Sequence, residues 1–555
     1  MTKHRFDEEY DFVIAGSGGG SVPAALVMKD QGRDVVILEK QSVFGGTSAY
    51  SGGVIWIPNN HISNPDGTQD SPEQARTYME AVAGASAQEV TLERRMAFIQ
   101  GGAEMVRFLE AKGMKFVDAQ WPDYHDELPG GRASGRSLTA PLFDANELGD
   151  WKPHLAQLAL TTDIPMNSSE SVHLFVAKKT FKGKVVAARI AWRMMLKKFF
   201  GKDLRGAGPA LQGRMFQLAK RASVPVWTGT PVRDLITENG RVIGVVAVRD
   251  GHERRIGARL GVLINAGGFS RNLEMREKYQ PKPTSVDWTL VSPADTGDLI
   301  LAAMALGAKL DFMNESWWLP GSYYPEGGSA GFHSPNDIGK PHCIVVGKDG
   351  RRFANESAGY MEFGQKMYAA GAVPAWAIFD SRHRNTYPWG TMFPGKPPQR
   401  LLDNGYLKQA DSLAVLAEKC GIHAGGLLDT VARFNHFAAD GIDQDFHRGE
   451  SAYNNYYGDP TVRPNPNLGE IRKAPFYACA IYPGDVGTAG GIVADEYGRA
   501  LREDDSVIEG LYVTGNSSVA VVGRCYPGAG ASVGPSMVFG YIAACHASGA
   551  NGLPT

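Results

Sequence analysis

The sequence predicts an α/β protein: a Rossmann-like dinucleotide-binding domain, discontinuous in the chain, with an α+β domain set over it. Three observations carry that prediction. A complete strand–turn–helix–strand unit with a glycine-rich turn opens the chain. A second glycine-rich run leads into a helical pattern close to the C-terminus, and paired strand patterns joined by turn dipeptides lie between them. A length of 555 residues is too great for one core, so two or more lobes are expected. The 67 glycines exceed the roughly 7% norm without any period, which points to tight turns and close backbone approaches. A formal net charge of -2 gives no electrostatic case for nucleic acid. The five cysteines are scattered, with no metal-ligand spacing. With no apolar signal core at the N-terminus, they read as reduced thiols in a cytoplasmic protein. No apolar run approaches the roughly 18 residues that a membrane span needs.

The opening unit is "YDFVIAGSGGGSVPAALVMKDQGRDVVILEK". Phe12–Ala15 reads as a short buried strand, Gly16, Gly18, Gly19 and Gly20 as the turn, 24–28 as helix, and 34–38 as a second parallel strand ending in Glu39. The turn glycines let backbone reach a diphosphate at a helix N-terminus, and the acid about 20 residues on takes ribose hydroxyls. Ser21 stands where the motif usually has Gly or Ala, so slightly looser helix–strand packing is expected there.

The next segment, "KQSVFGGTSAYSGGVIWIP", runs from Lys40 through a second glycine–hydroxyl run, Gly46, Thr47 and Ser48, to Gly52 and Gly53. A nicotinamide enzyme would continue with a plain βα unit. This segment instead resembles the extended loop with which fumarate reductase-type flavoproteins follow FAD along its diphosphate and flavin. "TPVRDLITENGRVIGVVAV" supplies two strands about an "NGR" turn, and "GVLINAGGFSRN" a strand ending in glycines. The resemblance places the Val232 backbone by the adenine and Ala266 and Gly267 near the cofactor. "GLYVTGN" resembles the last FAD strand and loop, which adds Gly515 and Asn516. FAD is therefore expected. No second fingerprint suggests a built-in nicotinamide site.

"GRCYPGAGASVGPSMVFGY" follows, and its helix is expected over 533–546. Its N-terminus, at Ser532 and Val533, would aim unpaired N–H groups and a positive dipole end at the flavin pyrimidine. "YPGAG" followed by "GPSMVFGYIAA" resembles the 3-ketosteroid Δ1-dehydrogenase signature. The resemblance implies that the Tyr526 hydroxyl and the Gly530 amide donate to a steroid C3 carbonyl. "WPDYHDELPGGRASGRSL" resembles the segment whose tyrosine, here Tyr124, sits beside the catalytic base, and "GRRFANESAGYMEFG" the segment bearing that base, here Tyr360.

The implied architecture is a Rossmann-like FAD-binding domain over 8–280 and 470–555, with an α+β catalytic domain over 281–469 capping the flavin. The implied reaction converts a 3-keto-4-ene steroid to a 1,4-diene. Tyr360 takes the C2 proton, assisted by Tyr124, FAD N5 accepts the C1 hydride, and an external carrier such as a quinone accepts the electrons. Two donors at the carbonyl act as an oxyanion hole does. A phenol with a reference pKa near 10 needs help to serve as base. A fumarate reductase-like enzyme would need an arginine where Tyr360 stands, because a neutral phenol cannot clamp a carboxylate. A 3-ketosteroid Δ4-(5α)-dehydrogenase and a non-catalytic sterol-binding flavoprotein remain as alternatives.

One further segment stands out. Ten Lys/Arg and one acid, Asp203, lie between Lys178 and Arg205, with Val185, Ala188, Trp192, Met195, Leu196 and Phe199 on one helical stripe. Either the stripe packs on the core with its cations solvated, or the segment, about 175–205, lies on an anionic lipid surface.

Overall fold

An unbroken apolar run is the signature of a strand covered on both faces, and the run at Phe12–Ala15 ends the central strand of the largest sheet. The computed structural model describes residues 6–157, 164–333 and 335–550. The strand extends back to Glu8, beyond the predicted start, through residues that are exposed or half-buried. Strands Val35–Leu38 and His252–Ile264 flank Glu8–Ala15 in parallel. Val507–Val513 continues the sheet in parallel beyond His252–Ile264, and Val226–Trp227 beyond Val35–Leu38. Ala15 stands opposite both Leu38 and Ile264, and Ile264 opposite Val513, so four strands end at one level. In such sheets a ligand crevice lies outside the carboxyl ends.

The "NGR" turn joins Val232–Glu238 to Arg241–Arg249 as an antiparallel hairpin. Asn239 and Gly240 both have positive φ, 51° and 79°, the two-residue turn that suits twisted strands. A second sheet, wholly antiparallel, orders Cys343–Val346, Ala375–Asp380, Phe476–Ile481 and Leu407–Ala410. It thus draws a strand from beyond residue 470, where the sequence placed the return to the first domain.

Five helices matter below, numbered in chain order: α1 Ser21–Asp30, α2 Ser168–Phe175, α3 Phe181–Phe200, α4 Tyr360–Ala369 and α5 Val533–Ser548. Helix α1 starts at Ser21, earlier than predicted, and α5 runs two residues past the predicted end before Gly549 stops it in the left-handed conformation. These two helices cross closely. A Cβ on Gly540 would lie 2.2 Å from Gly20 O, and one on Gly20 would lie 2.3 Å from Ser536 O. Ser21 does not loosen this packing. It is fully buried, with Oγ 2.8 Å from both Gly16 O and the Asn265 side-chain amide.

Of the two expectations for α3, inward packing of its apolar stripe is not what the structure shows. Gly183, Val186 and Ile190 are its buried residues. Trp192 is 57% exposed and Phe199 70%, with Val185, Met195 and, off the stripe, Phe181 and Phe200 also exposed. The rotation is fixed by α2: Arg193 donates to Glu170 at 2.6 Å and to Pro165 O at 3.2 Å, which turns the Arg face inward and the Trp192 face out.

Candidate active site

The aligned strand ends open into a cavity of about 880 Å³ that runs from the α1 turn to the loop before α5. At the first end, Gly16 has φ +99° and a Cβ there would lie 2.2 Å from Asn265 O, so the turn requires glycine. Gly18 and Gly19 face the cavity. Glu39 is buried, and its carboxylate accepts from Gln41 N at 2.7 Å, from Ser17 N at 3.1 Å and from the Ser17 hydroxyl. Burial pushes its carboxyl up against the pull of those donors. Ser17 Oγ also accepts Gly45 N at 2.9 Å, so one hydroxyl joins both glycine runs. Lys40 is paired with Asp298 at 2.7 Å.

Of the residues expected at the cofactor, Lys40, Gly46, Thr47, Ser48, Gly52, Val232, Ala266, Gly267, Gly515, Asn516, Ser532 and Val533 line the same cavity. Gly20 and Gly53 do not. Gly20 serves the α1–α5 crossing. Gly53, at φ +66°, lets its strand pass Ala207, whose carbonyl oxygen would lie 2.2 Å from a Cβ. Both α1 and α5 present N-termini with no side-chain cap and no acid in the first turn. Two such helix ends, a bare glycine wall and a buried acid fit FAD, whose diphosphate is anionic and whose ribose hydroxyls need an acceptor.

At the other end, three rings meet. The Tyr124 and Tyr360 centroids are 5.4 Å apart, Tyr124 and Tyr526 5.4 Å, and Tyr360 and Tyr526 5.0 Å. All three rings line the cavity. Tyr526 OH lies 3.3 Å from Ser532 Oγ. Gly530 is also in the wall, and among the described residues its amide N–H has no acceptor. Burial holds the Tyr124 and Tyr360 hydroxyls well above the ordinary phenol range; the neighbouring tyrosines add to the rise at Tyr360, whereas hydrogen bonds with Tyr360 and Tyr453 oppose it at Tyr124. Both are therefore neutral phenols at rest: the surroundings do not lower the pKa of the expected base.

The supports of these rings escaped sequence reading. Tyr124 is tied to the α5 loop, its N–H donating to Pro527 O at 2.9 Å, an oxygen that also accepts from Tyr78 OH at 2.6 Å. Beside it Arg136, fully buried, bridges Asp70 and Asp123 at 2.7 Å each, and Asp123 accepts Trp56 Nε1 at 2.8 Å. Tyr360 begins α4, just after Glu356. Glu356 accepts from Arg352, from Arg448 at 3.0 Å and from Val345 N at 3.0 Å, while Arg352 also holds Asp443 at 2.8 Å. The "GRRFANES" and "GGRASGR" segments contain Arg352, Glu356 and Arg136, but only the fold shows which charges meet.

The model of the family described as "FAD binding domain" matches residues 11–533. The chain is 43% identical to the 3-oxosteroid 1-dehydrogenase of Mycolicibacterium smegmatis over 97% of each chain. It is 33% identical to the 4-oxocyclohex-2-ene-1-carboxylate 5-dehydrogenase of Sinomonas cyclohexanicum, over 96% of this chain and 92% of that one. The crystal structure of the 3-ketosteroid Δ1-dehydrogenase from Sterolibacterium denitrificans in complex with 1,4-androstadiene-3,17-dione superposes with a TM-score of 0.91 at 37% identity, covering 98% of this chain and all of that one. On these grounds the chain belongs to the FAD-binding flavoproteins and, among them, to the 3-oxosteroid 1-dehydrogenase family.

Proposed function

We propose that the protein is an FAD-dependent 3-ketosteroid Δ1-dehydrogenase that converts 3-keto-4-ene steroids to 1,4-dienes. The observation that carries this reading is the pair of donors, Tyr526 OH and Gly530 N–H, on one short loop facing the cavity, with Tyr360 and Tyr124 within one ring's reach of Tyr526. A ketone oxygen held by both donors gains negative charge as its α-carbon loses a proton. Each good donor is worth ~3 kcal/mol in such a site. That acidifies the C2–H enough for Tyr360 to take the proton once its own phenol proton has passed by way of Tyr124 toward solvent, leaving a phenolate that Tyr124 hydrogen-bonds. FAD, when bound, supplies the two-electron acceptor for the C1 hydride. Gly16, Gly18, Gly19 and Glu39 would hold its adenosine diphosphate half, and Gly46–Ser48, Gly515, Asn516 and the α5 N-terminus its flavin half.

A carboxylated cyclohexenone suits this cavity less well than a steroid. Among the described lining residues the cations are Lys40, paired with Asp298, and Lys178, whose Nζ donates to the Asn385 and Pro394 carbonyls. A buried carboxylate without a cation is costly. Electrons leave to an external carrier, a quinone or similar acceptor. The outward face of α3 is an anionic-membrane contact: its exposed aromatics are flanked by Lys182, Lys184 and Lys198. Residues Leu174 and Phe175 of α2, which packs against α3, line the cavity, as do Phe332 and Phe393, which is 82% exposed. No helix of the described residues is long and apolar enough to cross a membrane.

Anaerobic addition of androst-4-ene-3,17-dione tests the reaction. The flavin absorbance should bleach and the product should carry the new double bond at C1–C2 by mass and NMR. An unbleached flavin, or unsaturation elsewhere, refutes it. Co-sedimentation with phosphatidylglycerol vesicles tests the surface: binding should fall when Trp192, Phe199 and Phe200 are changed to serine, and binding equal to wild type removes the contact.

A further inference from the structure

Asp295, in the "PADTGD" segment, is only 2% exposed and yet forms part of the cavity wall beside Gly267. Its Oδ1 accepts Ser270 N–H at 3.3 Å. Its Oδ2 has no hydrogen-bond partner among the described residues. Gly267 leaves that oxygen uncovered, for a Cβ at this position would stand 2.8 Å from Oδ2. An orphaned oxygen on a buried carboxyl is costly unless a ligand completes it.

We infer that Asp295 is a cofactor-binding residue acting as a proton donor: its carboxyl stays protonated and hydrogen-bonds an acceptor oxygen on the ribityl–diphosphate chain of FAD. A carboxylate here would face an anionic diphosphate with no direct counter-ion. Arg271 is the nearest cation in effect; its Nη1 and Nη2 donate to the Val286, Thr289 and Val291 carbonyls, its Nε has no hydrogen-bond partner among the described residues, and it makes no ion pair with Asp295. Asp485 bears on the same spot and is itself taken by Arg276 at 2.7 Å. Lys40 is taken by Asp298, at 2.7 Å, and by the Thr296 hydroxyl. Burial raises the Asp295 carboxyl to about 7 and Asp485 adds to the rise, while the Gly268 and Ser270 amides and Arg271 oppose it.

The inference concerns FAD alone and is tested without steroid. If the protonated acid is the binding form, FAD affinity falls roughly tenfold per pH unit above neutrality, and FAD binding at pH ~8.5 takes up close to one proton, against almost none at pH ~6. Flavin fluorescence on dissociation from the holoenzyme gives the affinity, and a pH indicator in weak buffer gives the proton count. Asp295→Asn retains a donor, so its affinity should be independent of pH and its proton uptake absent. In the wild-type holoenzyme, infrared spectra at pH ~8.5 should contain a protonated-carboxyl band that Asp295→Asn lacks. A wild type whose FAD affinity is flat across this range, with no proton uptake, overturns the inference even if the variant does not fold.

Discussion

Replacing Gly530 by alanine separates the two carbonyl donors without touching a hydroxyl. Gly530 has φ +94°, and an alanine Cβ would lie 2.3 Å from Val54 O, 2.5 Å from Val54 C and 2.6 Å from Ile55 Cα. These are backbone atoms of the strand Val54–Trp56, which is paired to Ser137–Thr139 and whose Trp56 N–H donates to Gly530 O at 3.2 Å. The strand cannot step aside, so the Gly530 peptide must shift by about 1 Å to restore ordinary contact, enough to cost about 100-fold by misplacement. Losing one donor of an oxyanion site costs ~3–4 kcal/mol, or roughly 10²–10³ in rate. The assay is anaerobic rapid mixing with androst-4-ene-3,17-dione, following flavin bleaching. Flavin content and thermal stability control for damage to the FAD end. A Gly530→Ala holoenzyme that reduces its flavin within about threefold of wild type would refute the donor role of this amide.

Tyr360→Phe should keep its flavin and still perturb the flavin spectrum on steroid addition, but reduce it about 10²–10⁴-fold more slowly; near-normal reduction removes Tyr360 as base. Tyr526→Phe should weaken both steroid binding and flavin reduction, and a change in only one of them contradicts a donor acting in both states. Because burial raises the Tyr360 hydroxyl, its base form is scarce at neutral pH. Flavin reduction should therefore accelerate as pH rises, by up to about tenfold per unit, and a plateau spanning pH ~6–8 would count against a phenol as base. Burial pushes Asp459 up, but hydrogen bonds from Lys179, Thr461 and Tyr387 outweigh it and hold the carboxyl at about 2. Lys179→Met removes the paired cation from this fully buried carboxylate, leaving it the Thr461 and Tyr387 donors, and should cost ~1–2 kcal/mol of stability, discounted for the part-exposed lysine. A depressed acid stabilises above its unfolded pKa, so the loss should be full above pH ~4 and shrink toward pH ~2, as denaturation midpoints will show.

The parts of the fold legible in the sequence were those set by local backbone demands. A run with no polar break at Phe12–Ala15, a turn that needs φ above zero at Gly16 and Gly240, and an acid about 20 residues after the turn each leave a local trace. Tyr124, Tyr360 and Tyr526 were found through motif likeness, and 402 residues separate the first from the last. Nothing local says that their rings converge. What sequence missed depends on contact. Gly20 and Gly53 look like cofactor glycines because they sit in glycine-rich runs, but a neighbouring helix and Ala207 are what exclude their side chains. Arg136 and Glu356 look like ordinary charged residues until three-dimensional packing buries them in ion pairs, Arg136 with the neighbour of Tyr124 in the chain, Asp123, and Glu356 with Arg352. The stripe on α3 was identified, but its direction was not, because helical periodicity gives a face and only the Arg193–Glu170 pair says which way it turns.

The continuity of the cavity bears on the order of assembly. Among the described residues Gly18 and Tyr526 border one space. Under the proposed function, FAD would occupy the glycine end and close that side of the space, so a flavin-free chain would offer a steroid a pocket open toward the glycine turn, and cofactor would load before substrate.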